Sequence, residues 1–142
     1  MRGWALAVAC LAGAAQADHR FEGRDLAAGA ALYAENCAPC HGAALEGQPG
    51  WQRPGEDGVL PAPPHDVTGH TWHHDTPLLV DYTLKGGQAA LAARGVSGFQ
   101  SGMPAFEDRL SEDEVLDILA YIRSHWPQEA REIQRQRTHA AD

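Results

Sequence analysis

Five consecutive residues, Cys37-Ala38-Pro39-Cys40-His41, constrain this chain more than anything else in it. Two thiols three residues apart at a helix end can each add to one of the two vinyl groups of a porphyrin, while the imidazole of the next residue is carried beneath the iron. The spacing is the attachment pattern of a c-type haem. A chain linked in this way builds its core around a flat apolar cofactor, which helps a small protein with little core of its own. A zinc site would want a second Cys or His pair at an interval of roughly 12–15 residues, and the nearest candidates, His65 and His70, lie far beyond it. A thioredoxin-like redox pair would want βαβ surroundings. No alternating strand pattern, internal repeat or βαβ signal is present, so the expected fold is all-α.

The N-terminus carries the three parts of a secretory signal: Arg2, an apolar run from Trp4 to Ala15, and the small-residue site Ala15-Gln16-Ala17, with cleavage expected after Ala17. That run is shorter than the ~20 apolar residues a membrane helix requires, and no later stretch approaches this, so no membrane span is expected after cleavage. Cys10 lies inside the run and is expected to be discarded with it. A lipid-modified cysteine there would leave a signal of only nine residues. Two cysteines remain in a mature chain of single-domain size, expected to be soluble in the periplasm or otherwise exported. The full chain has 11 Lys+Arg against 19 Asp+Glu, a formal charge of −8 that becomes −9 when Arg2 is lost. This balance excludes nucleic acid as a natural partner and favours proteins with a basic docking patch.

Helix signals punctuate the rest. Asp25 can cap a helix over Leu26–Glu35 that the Cys-x-x-Cys-His segment closes. From Gly42 to Asp75 the composition turns to Gly, Pro and His, a long loop that needs something large beneath it, which a haem would supply. Thr76 as N-cap, Pro77 at the first helical position and Gly86 as terminator predict a second helix. A short turn is expected at Gln88–Ala93. The strongest helix begins with the capping box Ser111-Glu112-Asp113-Glu114 and carries the apolar stripe Val115, Leu116, Ile118, Leu119, Ile122 and Trp126 before Pro127. The tail 128–142 is polar and reads as a solvated helix or frayed end, with a docking element as the alternative.

Met103 is the only methionine besides the initiator, which makes it the candidate sixth iron ligand. Gly102 lets the backbone come close to the haem, and Pro104 biases Met103 away from helical geometry, so that its thioether can project from an extended loop. A His–Met iron has both axial positions filled and a raised potential, which suits electron transfer. Together Gly29-x-x-Leu32-Tyr33-x-x-x-Cys37-x-x-Cys40-His41-Gly42, Ser101-Gly102-Met103-Pro104-Ala105-Phe106 and Leu119-Ala120-Tyr121-Ile122 closely resemble the class I mono-haem cytochromes c of bacteria, from about Asp25 to Trp126. The resemblance implies three to five helices around one covalently bound haem c, with the first and last crossing near Gly29, Tyr33 and Tyr121. It also implies a proline carbonyl that accepts a hydrogen bond from the haem histidine, assigned by position to Pro63, with Pro61 as the alternative. The chain then divides into a signal (1–17), a cytochrome c domain (18–127) and a polar tail (128–142).

One stretch departs from the family pattern: Pro61-Ala62-Pro63-Pro64-His65-Asp66-Val67-Thr68-Gly69-His70-Thr71-Trp72-His73-His74. The preferred reading is a rigid loop over the haem edge, with Trp72 packed on the macrocycle. A copper site using loop 65–74 with Asp66 or Asp75 is the alternative. Trp51 and Trp126 read as packing residues. The function expected is that of a one-electron carrier, not an enzyme, between proteins such as a respiratory oxidase or a dehydrogenase. Two rivals remain open: a copper-linked redox protein, and a haem enzyme with a labile sixth ligand.

Overall fold

The computed structural model describes residues 19–141; the signal segment and Cys10 lie outside them. The described residues form six α-helices and two short 3-10 turns, with no strand among them. These helices are α1 (Leu26–Asn36), α2 (Ala38–His41), α3 (Thr76–Leu84), α4 (Gly87–Ala93), α5 (Glu112–Ser124) and α6 (Gln128–Ala141). The count exceeds three to five because the haem motif makes its own helical turn and the tail adds a helix.

The frame is the crossing of α1 and α5. Asp25 caps α1 by accepting from Ala27 N–H and Ala28 N–H, and Ser111 and Glu114 form the full capping box of α5. The stripe on α5 is buried as its spacing predicts, Val115, Leu116, Ile118, Leu119 and Ile122 being all but inaccessible. Each such side chain contributes about 1.5–3 kcal/mol. The helices meet at Gly29, where a Cβ would stand 2.1 Å from the Asp117 carbonyl oxygen and 3.1 Å from Tyr121 Cβ. Tyr33 packs on Tyr121 with ring centroids 5.5 Å apart. Arg24 fastens the start of α1 to α5 through Asp113 at 2.9 Å.

Two boundaries differ from the sequence expectation. The residue that caps α3 is Asp75, whose Oδ1 accepts from Leu78 N–H at 2.7 Å; Thr76 is already the first helical residue and is fully buried. The tail is a fourteen-residue helix with Ala130, Gln134 and Thr138 buried against the body of the protein. It packs on α3 and on the Thr71–His73 turn. Gln134 Nε2 donates to Thr76 Oγ1 at 2.9 Å, and Thr138 Oγ1 accepts from Thr76 N–H at 3.1 Å. A residue near the chain's end therefore satisfies one of the free N–H groups that open α3. The helix crossing α1 is in consequence the penultimate one, not the last.

Candidate functional site

α1 delivers the motif. Its C-terminal turn runs into Cys37, a second helical turn follows over Ala38–His41 with Pro39 in its first positions, and Gly42 stops it at φ 83°. Tyr33, one turn before the motif, donates its buried hydroxyl to the Gly42 carbonyl at 2.9 Å and so pins the motif's exit. Burial raises the Tyr33 hydroxyl pKa well above the ordinary phenol value, leaving it a donor. Both thiols are free, Cys37 buried in the core and Cys40 exposed. Burial, with Cys40 beside it, pushes the Cys37 thiol up to about 11. A redox-active Cys-x-x-Cys pair needs the opposite, a depressed thiol.

His41 is buried, and its Nδ1 lies 2.8 Å from the Pro63 carbonyl oxygen, as a donor in the tautomer protonated at that nitrogen. The partner is Pro63, not Pro61. Burial lowers the His41 pKa, outweighing the opposing pull of the Pro63 hydrogen bond, and so favours the neutral ring, whose Nε2 keeps a lone pair for a metal. The long loop that brings Pro63 here is tied down from within. Gly47 N–H donates to the His41 carbonyl at 2.7 Å, Gln48 N–H to the Ala62 carbonyl at 2.9 Å, and His65 N–H to the Leu45 carbonyl at 2.8 Å. Leu45 is buried and adopts φ 67°, a left-handed conformation uncommon for a branched residue and one no sequence pattern signals.

Met103 arrives on a loop held at several points. Its carbonyl accepts from Gly87 N–H at 3.1 Å, its N–H donates to Ser101 Oγ at 3.3 Å, and Ser101 Oγ is bonded to the Tyr82 hydroxyl at 2.8 Å. Phe106 N–H returns to the Leu84 carbonyl at 3.0 Å, closing the loop on α3. The fit is steric as well. A Cβ at Gly87 would lie 2.0 Å from Ser101 Oγ and 2.4 Å from Tyr82 Cζ. Gly86, expected only as a helix terminator, and Gly87 thus form the seat of this loop. The Met103 side chain is part-buried against the core cluster that includes Tyr33 and Cys37.

The histidines after Pro63 separate into different packing roles. His65 stacks on His41, with ring centroids 4.0 Å apart, and its Nδ1 is 2.9 Å from Thr71 Oγ1. His70 stacks on Trp51, centroids 5.4 Å apart, with His74 edge-on to it. His73 lies over Trp72. Among the described residues no group of three His, Cys, Asp or Glu side chains is placed to hold a metal ion. Trp72 donates its indole N–H to the Val67 carbonyl at 3.2 Å and lines a surface cleft with Val67, Pro127, Ala130 and Ile133. The Thr71–His73 turn that carries it packs against α6, and the Trp72 side chain is part-buried against the core cluster that includes Cys37. Trp126, read as packing, is buried and donates Nε1–H to the His65 carbonyl at 2.7 Å.

The profile of the family described as Cytochrome c matches residues 26–126. The chain belongs to the cytochrome c family. Comparison with curated proteins and with solved structures returned no match. Cytochromes c bind haem covalently and transfer electrons, and the matched span contains the two free thiols, His41 and Met103. The residues fit that group: a borderline imidazole nitrogen and a soft thioether are the donors haem iron takes in this family. In this cytochrome c no helix among the described residues is long and apolar enough to cross a membrane.

Proposed function

We propose that this cytochrome c is an exported carrier of single electrons with one haem, linked by thioethers to Cys37 and Cys40 and ligated by His41 and Met103. The observation that carries the reading is the hydrogen bond from His41 to the Pro63 carbonyl at 2.8 Å, one residue after the second thiol. It keeps the proton on Nδ1, directs Nε2 outward as the ligand, and makes the imidazole a better donor. When bound, haem supplies a centre that accepts and releases one electron. The chain's own work is to hold that centre still. Tyr33 and Gly42 fix one ligand turn, and Tyr82, Ser101 and Gly87 fix the loop that carries the other.

A ligand loop fastened at both its backbone and its serine favours a filled sixth position over the labile one of a haem enzyme. The donors and acceptors are inferred to be electron-transfer proteins with basic docking patches, such as an oxidase or a dehydrogenase. Ten basic against nineteen acidic residues in the mature chain support this, and Glu46, Glu107 and Asp108 are all exposed. Export, to the periplasm or otherwise out of the cytoplasm, is inferred from the signal read in residues 1–17.

The test is the optical spectrum of the oxidised holo-protein. A sulfur-to-iron charge-transfer band is expected in the native protein and should vanish in Met103→Ala, with a lower reduction potential. An unchanged spectrum would remove Met103 from the iron.

A further inference from the structure

The surroundings of His41 contain one group that the haem motif does not account for. An imidazole bound to iron through Nε2 keeps one soft freedom, rotation of its plane about the metal–nitrogen axis. The Pro63 carbonyl restrains that rotation at a single atom, Nδ1. The opposite restraint comes from His65, whose ring lies against the face of His41 at 4.0 Å between centroids and 23° between planes. Turning His41 about its axial bond would drive its edge into this ring.

His65 is itself immobilised to an extent a packing residue does not require. Its Nδ1 is 2.9 Å from the hydroxyl of buried Thr71. Its N–H donates to the carbonyl of Leu45, and its own carbonyl accepts from the indole of buried Trp126 at 2.7 Å. Tyr33 stands edge-on to the ring, centroids 6.1 Å apart. The same short segment therefore presents the carbonyl of residue 63 to one edge of His41 and the ring of residue 65 to its face. Two adjacent prolines, Pro63 and Pro64, stiffen the span between them. A Cβ at Gly69 would come within 2.0 Å of the Pro64 carbonyl oxygen, so the following turn is closed tightly on that span.

We propose that His65 is a positioning residue for the iron-ligating imidazole, its stacked ring and the Pro63 carbonyl together setting the plane of His41. The proposal rests on His41 being the haem ligand. Plane orientation governs how the ligand's orbitals split those of a low-spin ferric iron, so it is read by electron paramagnetic resonance independently of electron-transfer activity.

The experiment uses the holo-protein in five forms: native, His65→Ala, His65→Phe, Thr71→Val and, to check the ligand itself, His41→Ala. The native protein should give a sharp low-spin signal. His65→Ala should shift the largest g value and broaden the signal, with a displaced reduction potential, while the sulfur-to-iron band persists. His65→Phe keeps a flat ring against His41 and should return both readings toward native even if its melting temperature falls. Thr71→Val frees the His65 ring without removing it, and should broaden the signal less than His65→Ala does. If His65→Ala fails to mature, His65→Phe and Thr71→Val carry the comparison, and a Thr71→Val signal with native g values and native width would overturn the proposal. Native g values in His65→Ala, or His65→Phe giving the same altered spectrum as His65→Ala, would overturn the proposal while leaving His41 as ligand. A native protein lacking a low-spin signal, or a His41→Ala variant that keeps it, would overturn the ligand assignment and the proposal with it.

Discussion

At the scale of single residues, Gly29 is among the tightest constraints in the described residues. With 2.1 Å between a would-be Cβ and the Asp117 carbonyl oxygen, backbone must move to admit even a methyl group. Gly29→Ala is therefore expected to lower stability by about 1–3 kcal/mol, although alanine is the better helix former. Chemical denaturation of the holo-protein checks this, and a stabilised variant would mean that α1 and α5 do not cross here. Residues that act through local spacing are the ones a reader of the sequence can find. Cys37, Cys40 and His41 announce themselves because both thiols and the imidazole belong to one helical turn, and Met103 because no other methionine follows the initiator. The stack of His65 on His41 is not legible in this way. It depends on a loop path set by the left-handed Leu45 and by hydrogen bonds with Thr71 and Trp126, and a cluster of histidines in sequence also admits a metal site.

Among the elements, α1 and α5 are legible because a capping side chain and an apolar period of 3.6 agree, as at Ser111 and Val115–Ile122. α6 is not, because its buried face is made of Ala130, Gln134 and Thr138, and polar residues become core only through a partner remote in sequence. That partner is Thr76, whose N–H and hydroxyl both meet Thr138 at 3.1 Å. Thr138→Val is expected to cost about 1–3 kcal/mol by stranding buried polar groups. A melting temperature unchanged from native would show that α6 does not dock as described. The start of α3 offers a second test. Burial alone would raise the Asp75 carboxyl, but hydrogen bonds from Arg94 and from Leu78 N–H, with the Arg94 charge, hold it below the usual carboxylate range. Arg94 grips it with two bonds of 2.8 and 2.9 Å, joining the end of α4 to the start of α3. Asp75→Ala should cost about 1 kcal/mol or more from the lost cap, while Asp75→Asn, which keeps the cap oxygen but weakens the ion pair, should cost less.

For the whole molecule, charge and proton binding give two bulk behaviours. Burial lowers the pKa of both His70 and His74, and neighbouring histidines lower each further. The unfolded chain takes up protons at these positions near pH 6.5 while the folded chain does not, so their contribution is intact above that pH and is lost as pH falls. Denaturation midpoints should therefore decline from pH 7.5 to 5.5, and His74→Gln should flatten that slope. An excess of acidic charge should steer encounters with a basic partner, so electron transfer to it should slow as salt shortens the Debye length to about 8 Å and below. Stopped-flow rates that stay flat or rise with salt would place the docking surface elsewhere than on Glu46, Glu107 and Asp108. All of this presupposes a haem fastened to the chain by its two thiols, and extraction with acidified acetone tests that most directly. The haem should stay on the polypeptide, intact mass should show one haem per chain, and Cys37→Ala with Cys40→Ala should abolish maturation. Haem released into the solvent, or a double variant that assembles normally, would contradict the account.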